Sequence, residues 1–118
     1  MAFGEVLRDL RRSAGLSQRD LADKAALDFS YISKLENGRI PPPAADTIVK
    51  LCEIMGVAPE PLLSLTGKFP SDVQQAVSAS TAAQEFLRDA QRIGLTEDEW
   101  KQLRHELNGL RGNDNESR

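Results

Sequence analysis

The stretch Gly15-Leu-Ser-Gln-Arg-Asp-Leu-Ala-Asp-Lys-Ala-Ala-Leu-Asp-Phe-Ser-Tyr-Ile-Ser-Lys-Leu-Glu-Asn-Gly38 carries the same helix-starting punctuation twice, eleven residues apart. Ser17 is placed as an N-cap, with Asp20 at the third helical position and Leu16 and Leu21 as a hydrophobic staple. This predicts a helix over about Gln18–Ala25 that buries Leu21, Ala22 and Ala25. Asp28 then repeats the cap, and Leu27 with Ile32 repeats the staple. The second helix, about Phe29–Asn37, turns Ile32 and Leu35 inward and stops at Asn37-Gly38. The cap spacing leaves only a three- to four-residue turn between the two helices.

Working outward, Phe3, Val6, Leu7 and Leu10 recur at helical spacing before Gly15, so an amphipathic helix precedes the pair. After it, Pro41-Pro42-Pro43 predicts an extended connector, because each proline disfavours helix in the residue before it. A helix over about Ala44–Met55 follows, with Ile48, Leu51, Cys52 and Met55 on one face. A short helix started by Pro59 and Pro61 carries Leu62, Leu63 and Leu65 as far as Gly67. The expectation is all-α: a five-helix head over residues 1–67 containing a helix-turn-helix, followed by a small helical segment over residues 68–111. In that segment Ser71-x-x-Gln74 reads as a capping box, Ser78–Thr81 as a polar break able also to cap the next helix, and Thr96-x-x-Glu99 as a second box stapled by Leu95 and Trp100. Residues 112–118 have nothing to bury and read as a disordered tail.

Composition narrows the function classes. The chain has 118 residues, a formal net charge of −3, one His and one Cys. A lone cysteine excludes an intramolecular disulfide framework, which favours a reducing cytoplasm. Met1–Arg12 is charged and periodic, so no signal peptide is expected, and no apolar run approaches a membrane span. Catalytic patterns are incomplete. His105-Glu106 lacks a second histidine at Gly109, and Thr66-Gly67-Lys68 lacks the upstream glycine and downstream hydroxyl of a phosphate loop. No enzyme, metal or cofactor is expected. The acidic balance argues on its face against nucleic acid, yet between Arg8 and Arg39 seven basic groups face five acids.

Arg11-x-x-x-Gly15-Leu-Ser-Gln18-x-x-Leu21-Ala22 together with Ile32-Ser-Lys-Leu35-Glu36-Asn37-Gly38-Arg39 resembles the phage repressor/Cro (Xre-type) helix-turn-helix family. The match runs over about residues 3–66. It departs at Ala26, where the family often has glycine in the turn, which puts the turn geometry in question. The resemblance implies a sequence-specific regulator of transcription that binds double-stranded DNA as a homodimer on a near-palindromic operator. It implies a repressor more than an activator, since repression needs only occupancy.

The same resemblance distributes roles. Phe29, Ser30, Ser33 and Lys34 on the recognition helix are expected at base edges. Gln18, Arg19, Tyr31, Asn37 and Arg39 are expected at phosphates, and Arg11 with Glu36 as a structural ion pair. Several readings stay open. Phe29 is either a core aromatic or a cover for a thymine methyl; Tyr31 either packs on the first helix or reaches a phosphate; Arg8, Arg12 and Arg19 are equally a solvated face.

The stripes Phe86/Leu87/Ile93 and Trp100/Leu103/Leu107 are too apolar to stand alone in water, and dimerisation is the favoured use. The alternative is a protein-interaction module of antitoxin type, or one regulated by a protease. In that reading these helices hold a cognate toxin or metallopeptidase.

Overall fold

The structure, a computed structural model, describes residues 2–111; the expected tail at 112–118 lies outside them. Eight helices occur among the described residues: α1 (Phe3–Ser13), α2 (Gln18–Ala25), α3 (Phe29–Glu36), α4 (Ala45–Met55), α5 (Glu60–Thr66), α6 (Ser71–Ser78), α7 (Thr81–Ile93) and α8 (Glu97–Gly109). None is long and apolar enough to cross a membrane.

Local chemistry explains most of the boundaries. Ser17 Oγ accepts from the Asp20 amide at 3.0 Å, and the Asp20 carboxylate accepts from the Ser17 amide at 3.0 Å, which satisfies two orphan donors of α2. Asp28 stands at the N-cap of α3 but makes no side-chain cap hydrogen bond. Between them Ala26 takes the left-handed conformation, φ 56° and ψ 42°. The turn therefore keeps the geometry that glycine ordinarily serves, and alanine bears the steric cost. Leu27 closes the turn by donating to the Ala22 carbonyl at 2.9 Å.

The core of the first five helices is assembled from one face of each. Leu7 comes from α1; Leu21, Ala22 and Ala25 from α2; Ile32 and Leu35 from α3; Ile48, Leu51, Cys52 and Met55 from α4; Leu62 and Leu63 from α5. Each fully buried leucine or isoleucine contributes about 1.5–3 kcal/mol against conformational entropy. Gly4 lets α1 meet the end of α3, because a Cβ there would lie 2.5 Å from the carbonyl oxygens of both Leu35 and Glu36.

The compact unit that holds these helices runs to Ala76, and a second begins at Val77. The residues that follow Gly67 bond back to this unit. Lys68 Nζ donates to the carbonyls of Pro42 and Pro43 at 3.2 and 2.9 Å. The Ser71 amide and hydroxyl donate to the two oxygens of Asp46 at 2.9 and 2.7 Å. The expected Ser71/Gln74 capping box gives way to this tie: the Ser71 amide donates to Asp46 in place of the Gln74 side chain, and the Gln74 amide donates to the Pro70 carbonyl at 3.0 Å.

In the second unit Ser80 caps α7 through the Ala83 amide at 3.0 Å, and Thr96 and Glu99 form a complete capping box at the start of α8. Ala90 is buried, while Phe86, Leu87, Ile93, Trp100, Leu107 and Leu110 are exposed.

A candidate nucleic-acid interface

The candidate surface is set by a polar network at the end of α3. Glu36, the last residue of that helix, has a side chain with no exposed area. An isolated carboxylate there would be severely destabilising, so its oxygens need donors. Arg11 from α1 supplies two: Nε to Oε2 at 2.6 Å and Nη2 to Oε1 at 2.9 Å. Gln18, the first residue of α2, donates Nε2 to Oε1 at 3.0 Å. Arg8 adds its charge, Nε lying 3.7 Å from Oε1.

Burial pushes the Glu36 carboxyl up. The hydrogen bonds from Arg11 and Gln18 and the charges of Arg11 and Arg8 outweigh it, and the group is held below its ordinary value. Hydrogen bonding to Glu36 raises the Arg11 guanidinium in turn. Arg11 Nη1 also donates to the Leu16 carbonyl at 2.8 Å, so one side chain ties α1, the segment entering α2 and the end of α3. No buried side-chain nitrogen or oxygen among the described residues lacks a partner.

With that end fixed, the outer face of α3 has a definite composition. Phe29, Ser30 and Lys34 are exposed and Ser33 is half-buried. Of the two readings of Phe29 the core one falls: the residue is 40% exposed, and Arg19 of α2 lies over its ring, with Cζ 4.6 Å from the centroid. Tyr31 packs half-buried against the core. Asn37 is held from both sides, its Oδ1 accepting from Arg8 Nη2 at 3.3 Å and its Nδ2 donating to Ser33 Oγ at 3.4 Å. Arg39 is exposed just beyond.

Gln18 is oriented by Glu36, and because an amide nitrogen carries two N–H groups, one remains at the start of α2, where backbone N–H groups also favour an anion. The arrangement joins hydroxyl, ammonium and apolar groups on one short helix to an amide and arginines on either side.

Three participants escape a reading of the sequence. Arg8 sits one helical turn before Arg12 and looks like surface charge, yet it donates to the Glu36 carbonyl at 3.2 Å as well as to Asn37. Gly4 is signalled only by its cost inside a helix. The Arg19–Phe29 stack joins two residues whose contact no local pattern encodes.

Among the described residues no group of three or more His, Cys, Asp and Glu could hold a metal ion. Cys52 is buried in the core, and burial, with the Glu60 charge, pushes its thiol up to about 11.

A family model described as a helix-turn-helix domain matches residues 2–65. The HTH-type transcriptional regulator RghRB of Bacillus subtilis (strain 168) is 33% identical over 91 residues, which cover 75% of this chain and 66% of that protein. The chain thus spans just under two thirds of the length of that relative. The HTH-type transcriptional repressor RghR of the same organism is 31% identical over 111 residues, 89% of this chain and 82% of that one. Among solved structures, the SinR protein/SinI protein complex covers 98% of this chain and 99% of its own, at 23% identity and a TM-score of 0.50, a likeness of fold.

Proposed function

The chain belongs to the helix-turn-helix domain family of transcriptional regulators, and on that premise we propose that it binds double-stranded DNA at a specific operator as a homodimer and represses transcription by occupying it. One observation carries the reading: the recognition helix α3 offers Ser30 and Lys34 outward while its last residue, Glu36, is locked to α1 and α2 by Arg11 and Gln18. A reader of base edges needs such a helix held rigidly, since a displacement of an ångström breaks a bidentate contact.

In this reading Lys34 donates to guanine O6 and N7, and Ser30 and Ser33 donate or accept at neighbouring bases. Gln18, Arg19, Tyr31, Asn37 and Arg39 take phosphates and set register. One recognition helix spans too few base pairs for useful specificity, so two copies on a twofold axis read half-sites about 10 bp apart. An apolar groove of about 490 Å³ in the second unit, lined by Phe86, Trp100, Leu103, Leu107 and Leu110, supports pairing through α7 and α8.

The test is selection of genomic fragments by the purified full chain, with binding measured against salt. Only two of the proposed phosphate contacts are cationic, Arg19 and Arg39, so a dimer releases few counterions and the log–log slope is expected near about −3.6. Retention of no fragment above random DNA rejects the reading. A full chain that sediments as a monomer rejects the homodimer and assigns the groove to another protein, of which a toxin or a metallopeptidase is the candidate.

A further inference from the structure

Phe29 is the first residue of α3, and its ring is exposed beside Ser30 on the outer face of the recognition helix. A phenyl ring has no donor or acceptor for a base edge or a phosphate. Covering its exposed part with an apolar group would be favourable in proportion to the area removed from water. One of its faces is already covered by the Arg19 guanidinium, centred 4.6 Å away. A guanidinium has five N–H donors, and a contact through its charge with a ring face leaves donors for other partners.

We propose that Arg19 and Phe29 act as one reading element, in which the ring covers the 5-methyl group of a thymine while Arg19 holds the ring in place and donates to the adjacent phosphate. The inference rests on the proposed binding of double-stranded DNA and names a feature of the base sequence read there. In the major groove the thymine methyl is the one apolar feature that distinguishes base pairs, so it is the natural complement of a ring with no polar atoms. The stack also links two functions that are ordinarily separate. The residue that sets register on the backbone is the one that limits the motion of the base reader. Arg19 comes from α2 and Phe29 from α3, so the element spans the turn at Ala26 and depends on its geometry.

The experiment works on an operator of any sequence. Duplexes recovered by the full chain from a random-sequence pool are resynthesised with either thymidine or deoxyuridine, which differ by the 5-methyl group alone. The wild-type protein is expected to bind the thymidine pool about fourfold more tightly for each methyl covered, hence about 16-fold across two half-sites. Phe29→Ala, an exposed substitution whose folding is checked by its thermal transition, should bind both pools equally. Arg19→Lys keeps the charge and removes the planar stack, so it should keep the salt slope and lose part of the preference. Equal binding of both pools by the wild type, or a preference that survives in Phe29→Ala, overturns the methyl readout alone. Recovery of no duplex overturns the DNA-binding reading and this inference with it.

Discussion

The Arg11 guanidinium closes on the Glu36 carboxylate with two hydrogen bonds, at 2.6 and 2.9 Å, where the two side chains are 8% and 0% exposed. Removing Arg11 leaves the buried Glu36 carboxylate with only the Gln18 hydrogen bond and the more distant Arg8 charge. Arg11→Ala is therefore expected to destabilise the protein by about 3 kcal/mol or more, read as a lower urea midpoint at unchanged slope. A loss under about 1 kcal/mol would mean that water reaches the carboxylate.

The same pair sets an acid limit. Glu36 is held below its ordinary value in the folded chain, so near and below that value the unfolded state binds more protons. Its contribution is complete above the unfolded value, about 4.3, and is lost as pH falls through the lowered folded value. Asp20, Asp46 and Glu99 move in the same direction, each held down first by a backbone amide, of Ser17, Ser71 and Thr96 respectively. Urea midpoints taken from pH 7 to pH 3 should fall steadily below about 4.3, and less steeply in Glu36→Gln.

Ala26 offers a gain. Relief of left-handed strain is worth about 1–2 kcal/mol, and the added freedom of glycine in the unfolded chain offsets about 0.4–1 kcal/mol of it. Ala26→Gly should therefore stabilise by about 0.5–1 kcal/mol. A lowered melting temperature would show that the alanine methyl makes a contact worth more than its strain.

Gly4 offers the opposite. A Cβ there meets two backbone oxygens at 2.5 Å, and neither can swing aside as a side-chain tip would. Gly4→Ala, although alanine is the better helix former, should cost about 1–3 kcal/mol as α1 is pushed off α3. An unchanged denaturant midpoint would show that the close approach is soft.

On DNA, Lys34→Ala should lower specific affinity by about 1–3 kcal/mol and relax preference at its base pair. Gln18→Ala should weaken all sequences alike. Competition between a selected duplex and random DNA separates the two. Uniform loss in Lys34→Ala would move that residue to the phosphates.

The legible parts of this molecule are those with local causes. The caps of α2, α7 and α8 and the apolar stripes of α1 to α5 follow from spacing along a few turns, and the structure places helices there. Glu36 with Arg11 is legible only through resemblance, since 25 positions separate two charges that no periodicity relates. Ser71 misleads for the same reason in reverse. Its capping pattern with Gln74 is local, and a carboxylate 25 residues upstream, Asp46, wins its amide. Arg8 reads as a solvated charge because charge on a helix usually is, and only the approach that Gly4 permits brings the end of α3 within its reach.

The bonds from Lys68 and Ser71 have a mechanical consequence. Prolines 42 and 43 have no N–H, and the lysine ammonium ties their carbonyls to the chain after α5, while Asp46 ties the first turn of α6 to the first turn of α4. The start of α6 is thereby anchored beside the connector that leaves α3 and the start of α4, so the chain on either side of α5 is held at one place.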